Sequence, residues 1–490
     1  MIDVQPEIIT QRSRIDGQWV DLSATDAHLA DPNTGELRQP KCTTSLEEVE
    51  WALQAARDLH DGGHLEETAL EDRVEMLLAV ADRVEAIAER IAFQDSINTG
   101  TPINTTRLIA DSFGDRIRGA AREAAELGPS ITLGDVDRPV YLLRKPLGPA
   151  LIVGPWNAPT FTVIGKVAAA MAAGCPVLLK PSENAPGGCQ LFSEILVDEM
   201  RRRDYPEAAF QLIHGSSSIG AVLTGDPRIE VLSFTGGGSA GRTVAAAAAS
   251  NLNAMQLELG SNNPAIVLDD ADLEAAAASI VDGMTRLNGQ WCEAPGKILV
   301  MESVHDDFVE AMRTRIDSLR VGHCLEPETQ VGPLAFERHF TQLGASLDRL
   351  LSLGGEKITA TDMPALDGWF MAPGMIIGCR AEDATEELFG PVVTVHAVAS
   401  EAEALAHANA AGGGLDAFVF SADHNRALRI AGKIRAGEVR INGTFMSDLA
   451  EGSQQTFWGT SGIGGHGPQN GVRLYLGDRV VGVDRTDLPL

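Results

Sequence analysis

Apolar positions along the chain fall first into helical and then into strand-like spacing. In "TTSLEEVEWALQAARDLH" (43–60), Leu46, Val49, Leu53 and Ala56 recur at steps of three and four, and Ser45 with Glu48 has the spacing of a capping box. A second long helix is expected at about 70–92, with Leu70, Val74, Leu77, Ala81, Val84 and Ala88 on one stripe. Residues 128–146, "GPSITLGDVDRPVYLLRKP", change character: they are punctuated by Gly and Pro and read as β, an arm reaching out of its domain. Four short apolar runs follow: "ALIVG" (150–154), "PVLLK" (176–180), "FQLIHG" (210–215) and "VLSFTG" (231–236). Helix-like segments at 162–173, 186–203 and 216–225 separate them. Unbroken apolar runs bounded by Gly or Pro are strands buried on both faces, and their alternation with helices predicts a parallel sheet. Ligands of such sheets bind beyond the strand C-termini, where "GPWN", "KPSE" and "FTGGG" stand.

The second half repeats this style in "PAIVLDDADLEAAAASIV", "GKILVM", "LDAFVFSADHNRALRIAGKI" and "GEVRING", a second α/β unit. The closing "VRLYLGDRVVGVD" is β-like and is expected to pair with the earlier arm. A chain of 490 residues exceeds one compact core, so two or three domains are expected.

Net charge is −29, which disfavours nucleic acid, whose phosphates need a basic face, and disfavours anionic membranes. No apolar run suits a signal peptide or a membrane span. Six dispersed cysteines without CxxC predict a reducing, cytoplasmic setting and no disulfide framework. No His or Cys cluster has metal-ligand spacing, so no metal is expected.

Two stretches carry candidate chemistry. "GGGSAG" (236–241) follows a strand and opens a helix, so its backbone N–H groups suit a pyrophosphate; as a bare string it reads equally as a tight turn. "LNGQWCEAPGK" (287–297) sets Cys292 between Trp291 and Glu293. A carboxylate neighbour makes a poorer thiolate, so Cys292 is either an incidental buried cysteine or a nucleophile assisted from elsewhere in the chain.

In order, "GPWN" (154–157), "KPSE" (180–183), "FTGGGSAG" (234–241), "LELGSNNP" (257–264), "GQWC" (289–292) and "ELFGPV" (387–392) resemble the aldehyde dehydrogenase superfamily of NAD(P)-dependent enzymes. The resemblance runs from "IDGQWV" and "DPNTGE" near the start to "GEVRING" at 437–443, and a Glu 34 residues before the Cys is its most diagnostic part. It implies that Cys292 is the nucleophile, that Asn157 donates to the oxyanion, and that Glu258 is the base that activates water. In isolation Asn157 would be a turn residue and Glu258 a structural carboxylate. For NAD, with NADP as the alternative, the resemblance implies Lys180 and Glu183 at the adenosine ribose and Gly236, Gly237 and Gly241 at the phosphates. It sets Pro155 and Trp156 along the cofactor channel, and Glu387 and Phe389 at the nicotinamide end. Lys180 and Glu183 alone would be solvated surface charges, and Phe389 core.

The chain departs from the family in three places. Gly237 stands where a Ser or Thr hydroxyl is usual, Ser261 and Asn262 replace a common Gly-Lys, and the C-terminal motif is degraded to "TFWGTSGIGGHG". The expected fold is α/β: a Rossmann-like NAD-binding domain (1–127 and 147–257), an α/β catalytic domain (258–458) and a small β oligomerisation arm (128–146 and 470–490), giving a homodimer or homotetramer. The expected reaction oxidises a small-molecule aldehyde to the acid. The rival readings are a CoA-acylating semialdehyde dehydrogenase and a non-catalytic, crystallin-like or scaffolding descendant of the fold. Small residues at Ala158, Thr162 and Gly165, with Trp291 and Phe457 or Trp458 as aromatic walls, predict a wide pocket for a bulky or aromatic aldehyde. Glu293, Asp448 and Glu451 near the entrance leave a cationic aldehyde as the alternative.

Overall fold

The computed structural model describes residues 8–360 and 362–485. Positions 1–7 of the expected NAD-binding domain and 486–490 of the expected arm lie outside the described residues.

The four apolar runs form the parallel centre of the first sheet. Its strand order is Gln18–Asp21, Arg12–Ile15, Phe210–Leu212, Val177–Lys180, Ala150–Val153, Val231–Gly236, Ala254–Leu259 and Gly462–Ile463. The five strands between Phe210–Leu212 and Ala254–Leu259 are mutually parallel, and antiparallel strands flank them. Their residues are buried because helices Pro159–Ala173, Gly187–Arg202 and Ser217–Gly225 connect them and cover the faces. The expected domain boundary at 257/258 falls inside the strand Ala254–Leu259, and the chain leaves that strand at Gly260.

The second sheet runs Glu356–Thr359, Gly374–Ile377, Val392–Val398, Pro295–Met301, Asn263–Val267, Asp416–Phe420 and Glu438–Ile441, all parallel except the first. A third sheet is separate. Leu476–Gly482 pairs antiparallel with Val140–Pro146, which pairs with Ser130–Thr132.

The Ser45 side chain accepts from the Glu48 N–H and the Glu48 carboxylate accepts from the Ser45 N–H, so the capping box starts helix Leu46–Asp61. The long helix expected at 70–92 is two, Leu70–Glu85 and Ala88–Thr99. Ile87, at φ −116° and ψ 12°, breaks the helix and turns Ile91 and Ala92 into the same core as Leu77 and Val84. An apolar stripe does not reveal a break when both pieces face one core. Helices Ile103–Ala110 and Phe113–Leu127 occupy a stretch for which the pattern above predicts no element.

Candidate active site

Across the first sheet the strand C-termini present, in order, Lys180, Gly154, Gly236 and Glu258. These residues line a cleft of about 1690 Å³ together with Cys292, which the second unit supplies.

The loop carrying Cys292 is held at both ends. Leu287, Asn288 and Gly289 all have positive φ, at 51°, 60° and 73°. Two non-glycine residues there cost roughly 1–2 kcal/mol each, and hydrogen bonds offset this. The Asn288 amide donates to the Gly100 and Pro333 carbonyls, both at 2.8 Å, and accepts from the Gly332 N–H at 2.7 Å. Gln290 donates to the Thr99 carbonyl at 3.1 Å and accepts from the Ala335 N–H at 2.9 Å. Gly289 allows close approach, since a Cβ there would lie 2.1 Å from the Gly390 carbonyl carbon. Beyond the loop, Asn263 donates to the carbonyls of Cys292 and Ala294 at 2.8 and 2.9 Å.

The Cys292 Sγ faces the Glu258 carboxylate, 3.5 Å from Oε1. The other oxygen, Oε2, accepts from the Thr235 hydroxyl at 3.2 Å and has the Lys166 ammonium at 3.6 Å and the His466 Nε2 at 3.5 Å. Lys166 also donates to Thr235 at 2.6 Å. Burial alone would raise the Glu258 carboxyl, but His466, Lys166 and the hydrogen bonds hold it well below the usual carboxylate range. Burial followed by the charges of Glu258, Glu293 and Glu387 pushes the Cys292 thiol well above its ordinary value. The pair therefore rests as a thiol facing a carboxylate, which is a donor facing a base. The Asn157 side chain donates to the Gln290 carbonyl at 2.8 Å, two residues before Cys292, and its nitrogen keeps a second N–H.

The cofactor side has the features a dinucleotide needs. Helix Gly238–Ser250 begins at Gly237 with no side-chain cap, and a Cβ at Gly237 would meet no atom within 4 Å. Its first N–H groups are thus open to a phosphate in the cleft. Lys180 is buried, 3.9 Å from Glu183, and both line the cleft with Pro155 and Gly236. Trp156 packs edge-on against Phe336 and Phe389 at 4.9 and 5.4 Å between ring centroids, and the His339 ring lies 5.1 Å away. Phe389 has φ +55°, and its carbonyl is 2.8 Å from the His339 Nε2. The Glu387 carboxyl accepts from the Ser261 N–H at 3.3 Å and is pushed up to about 8 by burial. A Cβ at Gly260 would sit 1.9 Å from its oxygen.

Ala158, Thr162, Gly165, Trp291 and Glu293 line the same cleft, as do Phe161 and Asp448. Four expected positions differ. Gly241 is buried off the cleft, where a Cβ would strike Leu259 at 2.2 Å, so its part is close packing of helix on strand. Phe457 is buried off the cleft wall and packs edge-on against His466, which is on it, at 4.9 Å. Trp458 and Glu451 are exposed and do not line the cleft.

Sequence reasoning missed Lys166, Thr235, His466 and Arg116. Lys166 follows Thr162 by four residues on one helix, a spacing that signals a shared face. His466 comes from the degraded C-terminal motif. Gly465–His466 pairs with Gln455–Thr456, and Gly462–Ile463 pairs with Leu257 and Glu258, which brings the imidazole to the carboxylate.

A family model described as "Aldehyde dehydrogenase family" matches residues 19–481. The betaine aldehyde dehydrogenase of Cereibacter sphaeroides (strain ATCC 17029 / ATH 2.4.9) is 33% identical over 427 residues, covering 85% of this chain and 86% of that protein. The non-phosphorylating aspartate-semialdehyde dehydrogenase of Halomonas elongata is 31% identical over 478 residues, covering 96% and 94%. Among solved structures, betaine aldehyde dehydrogenase from Staphylococcus aureus in complex with NAD+ superimposes with a TM-score of 0.90 at 29% identity, covering 98% of this chain and 96% of that one.

Proposed function

This chain belongs to the aldehyde dehydrogenase family, and we propose that Cys292, Glu258 and Asn157 carry its reaction through to the free carboxylic acid. It is an NAD-dependent aldehyde dehydrogenase. The observation that carries the proposed roles is the 3.5 Å approach of the Cys292 Sγ to Glu258.

Glu258 accepts the thiol proton, and the thiolate attacks the aldehyde carbon to form a thiohemiacetal. The oxyanion accepts from the free Asn157 N–H and the Cys292 backbone N–H, where one such donor is worth roughly 3–4 kcal/mol. NAD+, when bound, supplies the acceptor for the hydride that leaves this carbon. Lys180, Glu183, the N–H groups after Gly237, Glu387 and Phe389 bind and orient that cofactor, and the Trp156 cluster keeps its inner end from water. Glu258 passes the thiol proton to solvent and then takes a proton from water as that water attacks the thioester. Collapse of the tetrahedral intermediate releases the acid and expels the Cys292 thiolate, which recovers the proton from Glu258.

Ala158, Thr162 and Gly165 leave volume opposite Trp291, and the aromatic surfaces of Trp291 and Phe161 favour a bulky or ring-bearing aldehyde, at ~25 cal/mol per Å² buried. The three-stranded sheet and the residue that follows Ser130–Thr132 leave Ile131, Leu133, Tyr141, Val480 and Val481 exposed, which supports an arm that joins copies into a homodimer or homotetramer. The six cysteines are free, which supports a cytoplasmic setting, and no helix among the described residues is long and apolar enough to cross a membrane.

The test is NADH formation at 340 nm with acetaldehyde, hexanal and benzaldehyde, with the product identified in the presence of CoA. Free acid, a preference for the larger aldehydes and a silent Cys292→Ala are expected. Acyl-CoA as product, or full activity in Cys292→Ala, refutes the assignment. A best substrate of two or three carbons refutes the wide pocket.

A further inference from the structure

Arg116 is a cation on the cleft wall that this chemistry does not use. Arg116 lies on helix Phe113–Leu127, packed along helix Pro159–Ala173, whose Phe161, Thr162 and Gly165 form the cleft wall. Its guanidinium sits over the Phe161 ring, 3.5 Å from the centroid, and makes no hydrogen bond or ion pair among the described residues. Lys166 and Arg440 on the same cleft, and Arg118 two residues along, are engaged. Lys166 contacts Thr235 and Glu258, Arg440 pairs with Glu438 and lies 4.0 Å from Asp416, and Arg118 on the same helix pairs with Asp82 and Glu85.

Arg116 is also kept uncovered. A Cβ at residue 165 would lie 3.7 Å from its Nη1, so alanine would touch the guanidinium and anything larger would screen it; the residue is Gly165. Glu258, Asp448 and Glu293 act on Arg116 through space without bonding to it. A guanidinium stays charged at neutral pH. A planar cation set over a ring, with no partner for its N–H groups among the described residues, is suited to receive a carboxylate.

We propose that Arg116 is a specificity-determining residue that receives a carboxylate at the far end of the aldehyde, so that the substrate class is an aldehyde acid and not a neutral or cationic aldehyde. This rests on the reading of the cleft as an aldehyde-oxidising site. Gly165 leaves the lane to the guanidinium open, and the Phe161 ring lies against it.

The test uses the full chain with NAD+ and compares kcat/KM for 4-carboxybenzaldehyde, its methyl ester, succinate semialdehyde, butanal and betaine aldehyde. Each acid is expected to exceed its uncharged match at least tenfold, with betaine aldehyde poorest. In Arg116→Gln the acid-to-neutral ratio falls by about 10–100-fold, carried by KM, as expected for loss of a charge-assisted contact. Arg116→Lys recovers part of it. Gly165→Leu, which screens the guanidinium without removing it, lowers the same ratio. Equal use of acids and neutral partners, a ratio unmoved in both Arg116→Gln and Gly165→Leu, or betaine aldehyde as the best substrate overturns the role of Arg116 alone. Failure to oxidise any of the five overturns the underlying reading of the site.

Discussion

Replacing Glu258 with Gln separates two effects that a single activity measurement would confuse. The carboxylate holds the Cys292 proton on, through its charge, and also takes that proton off, as a base. Its oxygen is 3.5 Å from Sγ. Unit charges at that distance interact by about 5 kcal/mol at an effective dielectric of 20 and by about 1.2 kcal/mol in water. Neutralising Glu258 removes an interaction of that size from the thiolate and so lowers the thiol pKa. The Lys166 ammonium, 3.6 Å from the same carboxylate and left without it, acts in the same direction. Iodoacetamide alkylation against pH, with NAD+ absent, reads this shift directly: the inactivation profile of Glu258→Gln moves to lower pH. Steady-state turnover moves the other way. Loss of a general base costs about 10²–10⁴-fold, and because deacylation needs it, a rapid-mixing trace at pH 8–9 keeps a burst of NADH near one per active site while the following slope collapses. An alkylation profile that stays put or moves to higher pH would show that Glu258 does not bear on Cys292. Turnover within threefold of wild type would show that another group activates the water.

Three further outcomes are expected. Glu183 meets the adenosine ribose in the proposed site, so a 2′-phosphate would face its carboxylate; kcat/KM should favour NAD+ over NADP+ at least tenfold, roughly what like charges ~4 Å apart supply, and Glu183→Gln should narrow the gap, whereas equal use of both cofactors by wild type would remove that placement. Gly289→Ala should cut turnover about 100-fold or more, because the Cβ would meet the Gly390 carbonyl carbon at 2.1 Å and a shift near 1 Å at the nucleophile is enough for such a loss; kcat within tenfold of wild type would mean that the loop relaxes freely. Asp95, buried and accepting from Thr160 at 2.9 Å, is pushed up to about 7 by burial, so the folded chain keeps a proton that the unfolded chain loses near pH 4; stability falls as pH rises from about 4 to 7 and levels above, and Tm measured from pH 4.5 to 8 should fall less in Asp95→Asn, parallel curves being the contrary result.

Legibility from sequence followed how local the determining physics is. The strands Ala150–Val153, Val177–Lys180 and Val231–Gly236 were readable because burial on both faces demands unbroken apolar runs between helices. The capping box at Ser45 and Glu48 was readable because its two bonds close within four residues. The cleft residues on the "GPWN", "KPSE" and "GQWC" segments were readable because those motifs stand at strand ends or in the nucleophile loop. His466 was not. The strands around it are two residues long and exist only by pairing with distant segments, so they leave no periodicity. Phe457 was misplaced for the same reason, since an aromatic there serves equally to line the cleft or to back a residue that does. Arg116 stayed hidden because a charge on an amphipathic helix is ordinarily solvated, and only the packing of that helix on Pro159–Ala173 turns it into the cleft.

The thiol set beside a carboxylate in "WCEA" is resolved by which carboxylates are charged. Burial pushes the Glu293 carboxyl up, with the negative charge of Glu258 adding to it, while His466 opposes it. Its ability to raise the thiol is therefore weakened when it holds its proton. Burial likewise would raise Glu258, but His466 and Lys166 gather around it, so Glu258 keeps its charge where Glu293 has least support for one. One buried acid is thereby selected as the proton acceptor from two that stand near the same sulfur. A cysteine in this setting is a poor resting thiolate, which protects it from adventitious alkylation and oxidation. With Glu258 ionised, it becomes a nucleophile as its proton crosses 3.5 Å to that carboxylate, with an electrophilic carbonyl in place to receive the pair of electrons. The Lys166 ammonium that helps keep Glu258 ionised therefore also sets how readily the sulfur reacts, and removing it should raise the thiolate's cost and the base's proton affinity together.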